Sequence, residues 1–182
     1  MVPEKKLKLE IEAPEGIEIK LDGKILTIKG PKGEVSKKFD VASVDISSEG
    51  NKVKLSPKKF TKRQKMFINT FEAHINNMLK GTKEGFEYKL KICSSHFPMS
   101  VSVEGDNVII KNFLGEKVNR KALIVKGANV KIQADTITVT SADKETAGQT
   151  AANMEQATRI TNRDRRIFQD GIWITEKAGK EM

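Results

Sequence analysis

The chain states one pattern twice, and this duplication limits the folds open to it more than any other feature. IEIKLDGKILTIK (17–29) alternates apolar and polar residues around Asp22-Gly23, the pattern of a β-hairpin on a tight turn. VSVEGDNVIIK (101–111) repeats it around Glu104-Gly105. The match runs on without a gap: IKGPKGE, starting at 28, lies over IKNFLGE, starting at 110, an offset of 82 residues. NKVKLS (51–56) then matches DTITVT (135–140) at an offset of 84.

Each matched strand leads into a helical segment. Ser56-Pro57 offers an N-cap and a proline for the first turn. Phe67, Ile68, Phe71, Ile75, Met78 and Leu79 then recur at the spacing of one buried helix face, which ends near Gly81. The second helix is predicted from about Thr146 to Ile160, with Ala147, Ala151, Met154 and Ala157 or Thr158 inward. Small residues there imply a close approach to a sheet. The expected architecture is two tandem α+β domains, residues 1–82 and 83–182, each a small, mostly antiparallel sheet with one packed helix. Two copies fall short of the three or more that a stacked solenoid needs.

The segment C-terminal to the second copy has no counterpart in the first. RITNRDRRIFQDGIWITEK (159–177) holds Arg159, Arg163, Arg165 and Arg166, whereas the rest of the chain has only Arg63 and Arg120. Basic residues number 33 against 24 acidic, a formal charge of +9, which suits a polyanionic partner better than an acidic small molecule. The excess is spread over both halves, so residue type must locate the contact. Arginine brings a planar fork that grips phosphate bidentately and stacks on bases, where lysine brings a hydrated point charge. Asn162-Arg163-Asp164 is expected to break the helix and present Arg163, Arg165 and Arg166 from a loop. IFQDGIWITEK is expected to form a hairpin around Asp170-Gly171, anchored by Ile167, Phe168, Ile172, Trp173 and Ile174. Pairing with Asp164 or Asp170 would occupy one arginine and leave at least two for RNA.

Other motifs are weaker. SSHFP (94–98) offers hydroxyls and an imidazole for phosphate or a ribose 2′-hydroxyl, and rings for a base, although an ordinary loop with Phe97 turned inward reads as well. KKFTKRQK (58–65) puts five cations on the first turns of the first helix, against its macrodipole, unless the run is simply a solvated face. GPKGE (30–34) lies between strands and reads as a turn rather than a phosphate loop. Cys93 and His96 resemble a dyad or half a metal site, but His74 is the only other histidine and there is no second cysteine, so neither metal nor catalytic residue is expected. Cys93 reads instead as a small buried residue at a strand end. No carboxylate pair is framed for acid catalysis. The N-terminal MVPEKKLKLEIEAPEG lacks the apolar core of a secretory signal, and no apolar run approaches the ~20 residues of a membrane span. A soluble intracellular protein is expected, with no membrane, cofactor or small-molecule substrate.

SSHFPMSV (94–101) and NRDRRIFQDGIWITEK (162–177), set in this two-copy architecture, resemble the archaeal and eukaryotic branch of the universal large-subunit ribosomal protein six family. The resemblance covers essentially the whole chain. It implies a cytoplasmic, non-catalytic protein of the large ribosomal subunit. Its RNA would be ribosomal, near the sarcin-ricin region and the base of the lateral stalk, with neighbouring ribosomal proteins and translation factors close by. It further implies RNA contacts by Ser95, His96, Arg159, Arg163, Arg165, Arg166, Lys177 and Lys180, and a more peripheral first repeat. The lysine- and glycine-rich ending of the bacterial branch is absent. A basic two-domain adaptor for an acidic protein is the alternative that composition leaves open.

Overall fold

A computed structural model describes residues 9–40, 43–59 and 61–182. The first residues of the N-terminal stretch and Phe60 of the basic run lie outside them. The chain divides into two compact units between Gly85 and Phe86. In the first, six strands are shared between two antiparallel sheets. β1 (Leu9–Glu12), β6 (Lys52–Pro57) and β5 (Val44–Glu49) form one in the order β1-β6-β5. β2 (Glu18–Asp22), β3 (Ile25–Gly30) and β4 (Gly33–Lys38) form the other. Helix α1 (Lys62–Lys83) packs on β3 and β6. Its buried Ile68, Phe71, Ile75, Met78 and Leu79 meet the alternating inward residues Leu26, Ile28, Val53 and Leu55. His74 sits half-buried at the border of that face.

The second unit repeats this order. β8 (Ser100–Glu104), β9 (Asn107–Lys111) and β10 (Arg120–Leu123) form a three-stranded sheet around the expected turn at Gly105. β7 (Phe86–Cys93), β11 (Asn129–Gln133) and β12 (Thr136–Ser141) form the counterpart of the β1 sheet. Here the unique tail enlarges it. β13 (Gly171–Lys177) pairs antiparallel with the outer edge of β7, and β14 (Lys180–Glu181) pairs with β13, giving the order β11-β12-β7-β13-β14. Helix α2 (Lys144–Ala157) covers this sheet with Ala147, Ala151 and Met154 fully buried. A methyl group at Gly148 would stand 3.2 Å from the Tyr88 hydroxyl, so the small residues do mark a close approach.

The structure corrects four expectations. Ser56-Pro57 does not start α1: it ends β6, and the N-cap is Thr61, whose hydroxyl accepts the Gln64 N–H. β pairing to Val44 and Asp45 holds Ser56 and Pro57 in the sheet. Lys58 therefore precedes the helix and faces Asp45 at 3.7 Å, leaving Lys62, Arg63 and Lys65 in the first turns. The tail has no hairpin around Asp170-Gly171: Gly171 opens β13, and the reversal comes at Ala178-Gly179. Phe97 is not turned inward but lies exposed over Gly115, and Ile167 is exposed and anchors nothing. The GPKGE stretch is the β3–β4 turn, tied to the end of α1 by a hydrogen bond from Lys32 N–H to Thr82 C=O (3.0 Å).

Candidate nucleic-acid interface

The arginine-bearing segment begins where α2 ends, and its course is fixed from both sides. The Thr158 hydroxyl donates back to the Glu155 carbonyl (3.2 Å) and accepts the Ile172 N–H (2.9 Å), joining the helix end to the first residues of β13. Arg120 reaches the same helix end from β10. Its Nη1 donates to the carbonyls of Ala157 (2.8 Å) and Arg159 (3.2 Å), a cation on a helix C-terminus as the macrodipole favours. Its Nε and Nη2 form a fork on Glu116, and its guanidinium lies 4.3 Å from the centre of the Phe113 ring. Hydrogen bonding from Arg120 holds the Glu116 carboxyl below its ordinary range. Arg120 is thus a structural arginine with its donors engaged.

The other end is held by Asp170, which is buried. Its Oδ1 accepts the N–H groups of Ser95 (2.6 Å) and His96 (3.0 Å), and its Oδ2 meets His96 Nδ1 (2.5 Å) and the Ser95 hydroxyl (3.3 Å). Burial pushes this carboxyl up, but the donors from His96 and Ser95 outweigh it and hold the group at about 2. Ser95 and His96 are therefore locked to the tail, and the arginine pairing that the sequence offered Asp170 gives way to this loop. Cys93 ends β7 half-buried, while the His96 imidazole that the sequence set near it is engaged by Asp170. No cluster of three or more His, Cys, Asp or Glu suited to a metal occurs among the described residues.

Between these anchors each arginine has a different support. Asn162 takes the left-handed conformation that turns the chain (φ 59°). Arg163 lies over the Phe168 ring at 4.7 Å, and the same ring stacks on His96 at 4.7 Å and 24°. Arg165 lies over the Trp173 ring at 5.3 Å, and the indole N–H donates to the Gln169 carbonyl (3.0 Å). Arg166 forks onto Asp164 through Nε and Nη2, with Arg166 almost fully exposed and its Nη1 in no hydrogen bond among the described residues. The Asp164 carboxylate is held low first by that side-chain bond and then by the Arg166 N–H. Cation–π support of this kind is worth ~0.5–1 kcal/mol at an exposed site, enough to bias a long side chain toward one direction.

Ser95, His96, Arg163, Arg165 and Arg166 are thus brought together around the start of β13, and Arg159 joins them across a hollow it shares with Arg165. Lys177 and Lys180 are not part of this group. They face each other in the β13–β14 pair, at the far end of a strand whose six steps span roughly 20 Å. Sequence reasoning missed the buried carboxylate of Asp170 and the platform role of Phe168 and Trp173. The only local signal was aromatic residues interleaved with arginine.

The ribosomal protein L6 family model matches residues 13–85 and 97–171, once on each repeat. The large ribosomal subunit protein uL6 of Methanobrevibacter smithii is 47% identical over 177 residues, 97% of this chain and 99% of the relative. That of Methanocella arvoryzae is 47% identical over 170 residues, 93% and 96% of the two chains.

Proposed function

This chain belongs to the ribosomal protein L6 family, in its archaeal branch, and from that premise we propose that the unique tail of its second unit is the part that grips ribosomal RNA. The family is structural and non-enzymatic, and the chain is a constituent of the large ribosomal subunit in the cytoplasm. The RNA assigned to it is large-subunit rRNA near the sarcin-ricin region and the stalk base. Neighbouring ribosomal proteins border that region, and translation factors dock beside it. The resemblance carried by NRDRRIFQDGIWITEK supports this placement.

One observation carries the RNA assignment: three exposed arginines on one short segment, each held on its own support, Phe168, Trp173 or Asp164. Side chains ordered before binding lose less entropy on meeting a phosphate. The Nη1 edge of Arg166 and the outer faces of Arg163 and Arg165 then act as phosphate contacts, with Ser95 and His96 at their margin and Lys177 and Lys180 as a second foothold along β13. Hydroxyl-radical footprinting of large-subunit RNA with and without the protein tests the placement. Protection is expected in the sarcin-ricin region and at the stalk base, and protection confined to other helices overturns it.

A further inference from the structure

The end of α2 and the start of β13 enclose a hollow of about 270 Å³, lined by Glu155, Gln156, Arg159, Ile160, Arg165 and Trp173. Sites for drug-sized ligands run from roughly 300 to 1,000 Å³, so this one has room for a single flat heterocycle and its sugar. Arg165 and Trp173 also line a larger neighbouring hollow of about 620 Å³ with Ser95 and Arg166, and so stand as the wall between the two.

The chemistry of the smaller hollow does not suit a phosphate. Arg159 and Arg165 would attract one, but Glu155 lines the same space and repels it. Glu155 lies in the last turn of α2 and Arg159 just past its end, after Thr158. Neither side chain forms an ion pair or hydrogen bond among the described residues. A carboxylate and two guanidinium groups around one hollow, beside an indole, suit a planar ligand with donors on one edge and acceptors on the other.

Among the RNA bases only guanine has that layout. Its N1–H and N2 amino group are adjacent donors that match a carboxylate, and its O6 and N7 are adjacent acceptors that match an arginine fork. Adenine turns a lone pair at N1 toward the carboxylate, and uracil and cytosine each lack the paired donors. We propose that this hollow receives one unstacked guanine of the RNA. The base lies against the Trp173 indole, its N1–H and N2 amino group donate to Glu155, and O6 and N7 accept from Arg159. Single-stranded RNA is commonly read in this way, by splayed bases on aromatic faces.

The guanine subsite rests on the RNA-binding reading, and one set of measurements separates the two. Trp173 is the sole tryptophan, so its fluorescence reports occupancy directly. The full chain is titrated with oligouridylates carrying one central guanosine, adenosine or inosine, the last lacking only the N2 amino group. Saturable quenching by the guanosine oligomer is expected at about tenfold lower concentration than by the other two. Glu155→Ala is expected to abolish that preference and to weaken binding to a large-subunit RNA fragment with the salt slope unchanged, since no phosphate contact is lost. Equal quenching by all three oligomers, or a guanosine preference that survives Glu155→Ala, overturns the subsite while the RNA reading stands. Failure of the wild-type chain to bind the fragment at all overturns both.

Discussion

Asp170 Oδ2 and His96 Nδ1 lie 2.5 Å apart although 74 residues separate them in the chain. The carboxylate at this junction also takes two backbone N–H groups, so the loop after β7 and the approach to β13 form one hydrogen-bonded unit. Asp170→Asn keeps the shape but turns an amide N–H toward donors. It is expected to cost on the order of 2–3 kcal/mol in urea denaturation, since a buried carboxylate with several donors is being replaced.

The same carboxylate gives a pH dependence with a definite sign. Its folded-state value is depressed from 3.8 to about 2, so its contribution is present in full above the unfolded value and is lost as pH falls from about 4 through 2. That depression corresponds to about 2 kcal/mol. Acid titration of the wild type should therefore show a decline in stability through this range that Asp170→Asn flattens. Equal slopes in the two proteins would rule out this role.

Arg120 should act through stability and not through RNA. Arg120→Lys keeps the charge but cannot hold Glu116, the Ala157 carbonyl and the Phe113 face together. A loss of about 1–3 kcal/mol in stability is expected, with the salt slope of RNA binding unchanged. Unchanged stability in Arg120→Lys would contradict this structural role.

Thr158→Val leaves the buried Ile172 N–H without an acceptor at nearly constant volume. The expected cost is about 1–3 kcal/mol. Amide exchange should accelerate at Ile172 before the centre of β7, because β13 is tied to the helix at that point.

In the first unit, a Cβ at Gly30 would stand 2.7 Å from the Thr82 carbonyl oxygen and 2.9 Å from its Cβ. Backbone cannot step aside as a flexible side chain would, so Gly30→Ala should destabilise by about 1–3 kcal/mol in thermal unfolding. Gly23→Ala meets nothing within 4 Å and should cost only the strain of its φ of +61°, on the order of 1 kcal/mol.

The repeat made most of the fold legible. Alternation in IEIKLDGKILTIK and VSVEGDNVIIK located β2–β3 and β8–β9, and the Ile68 to Leu79 spacing located the buried face of α1. Ser56-Pro57 misled because cap chemistry is local, whereas pairing with β5 is not. The tail was legible as arginine-rich and anchored, but not as a strand on the edge of β7, since periodicity does not identify a partner about 80 residues away. The supports of the arginines were hidden for the same reason. His96, Phe168 and Arg163 come together where Asp170 ties the loop after β7 to the tail.

The role proposed for these supported arginines is neutralisation of RNA phosphates, and the salt dependence of binding reads it out. Binding to a large-subunit RNA fragment that includes the sarcin-ricin region is measured for the wild type and for Arg163→Ala combined with Arg165→Ala. Each phosphate contact removed should lower the log–log slope by about 0.7–0.9, so the double variant should bind more weakly with a slope flatter by about 1.5. Unchanged affinity and slope would show that the arginines do not meet RNA phosphates.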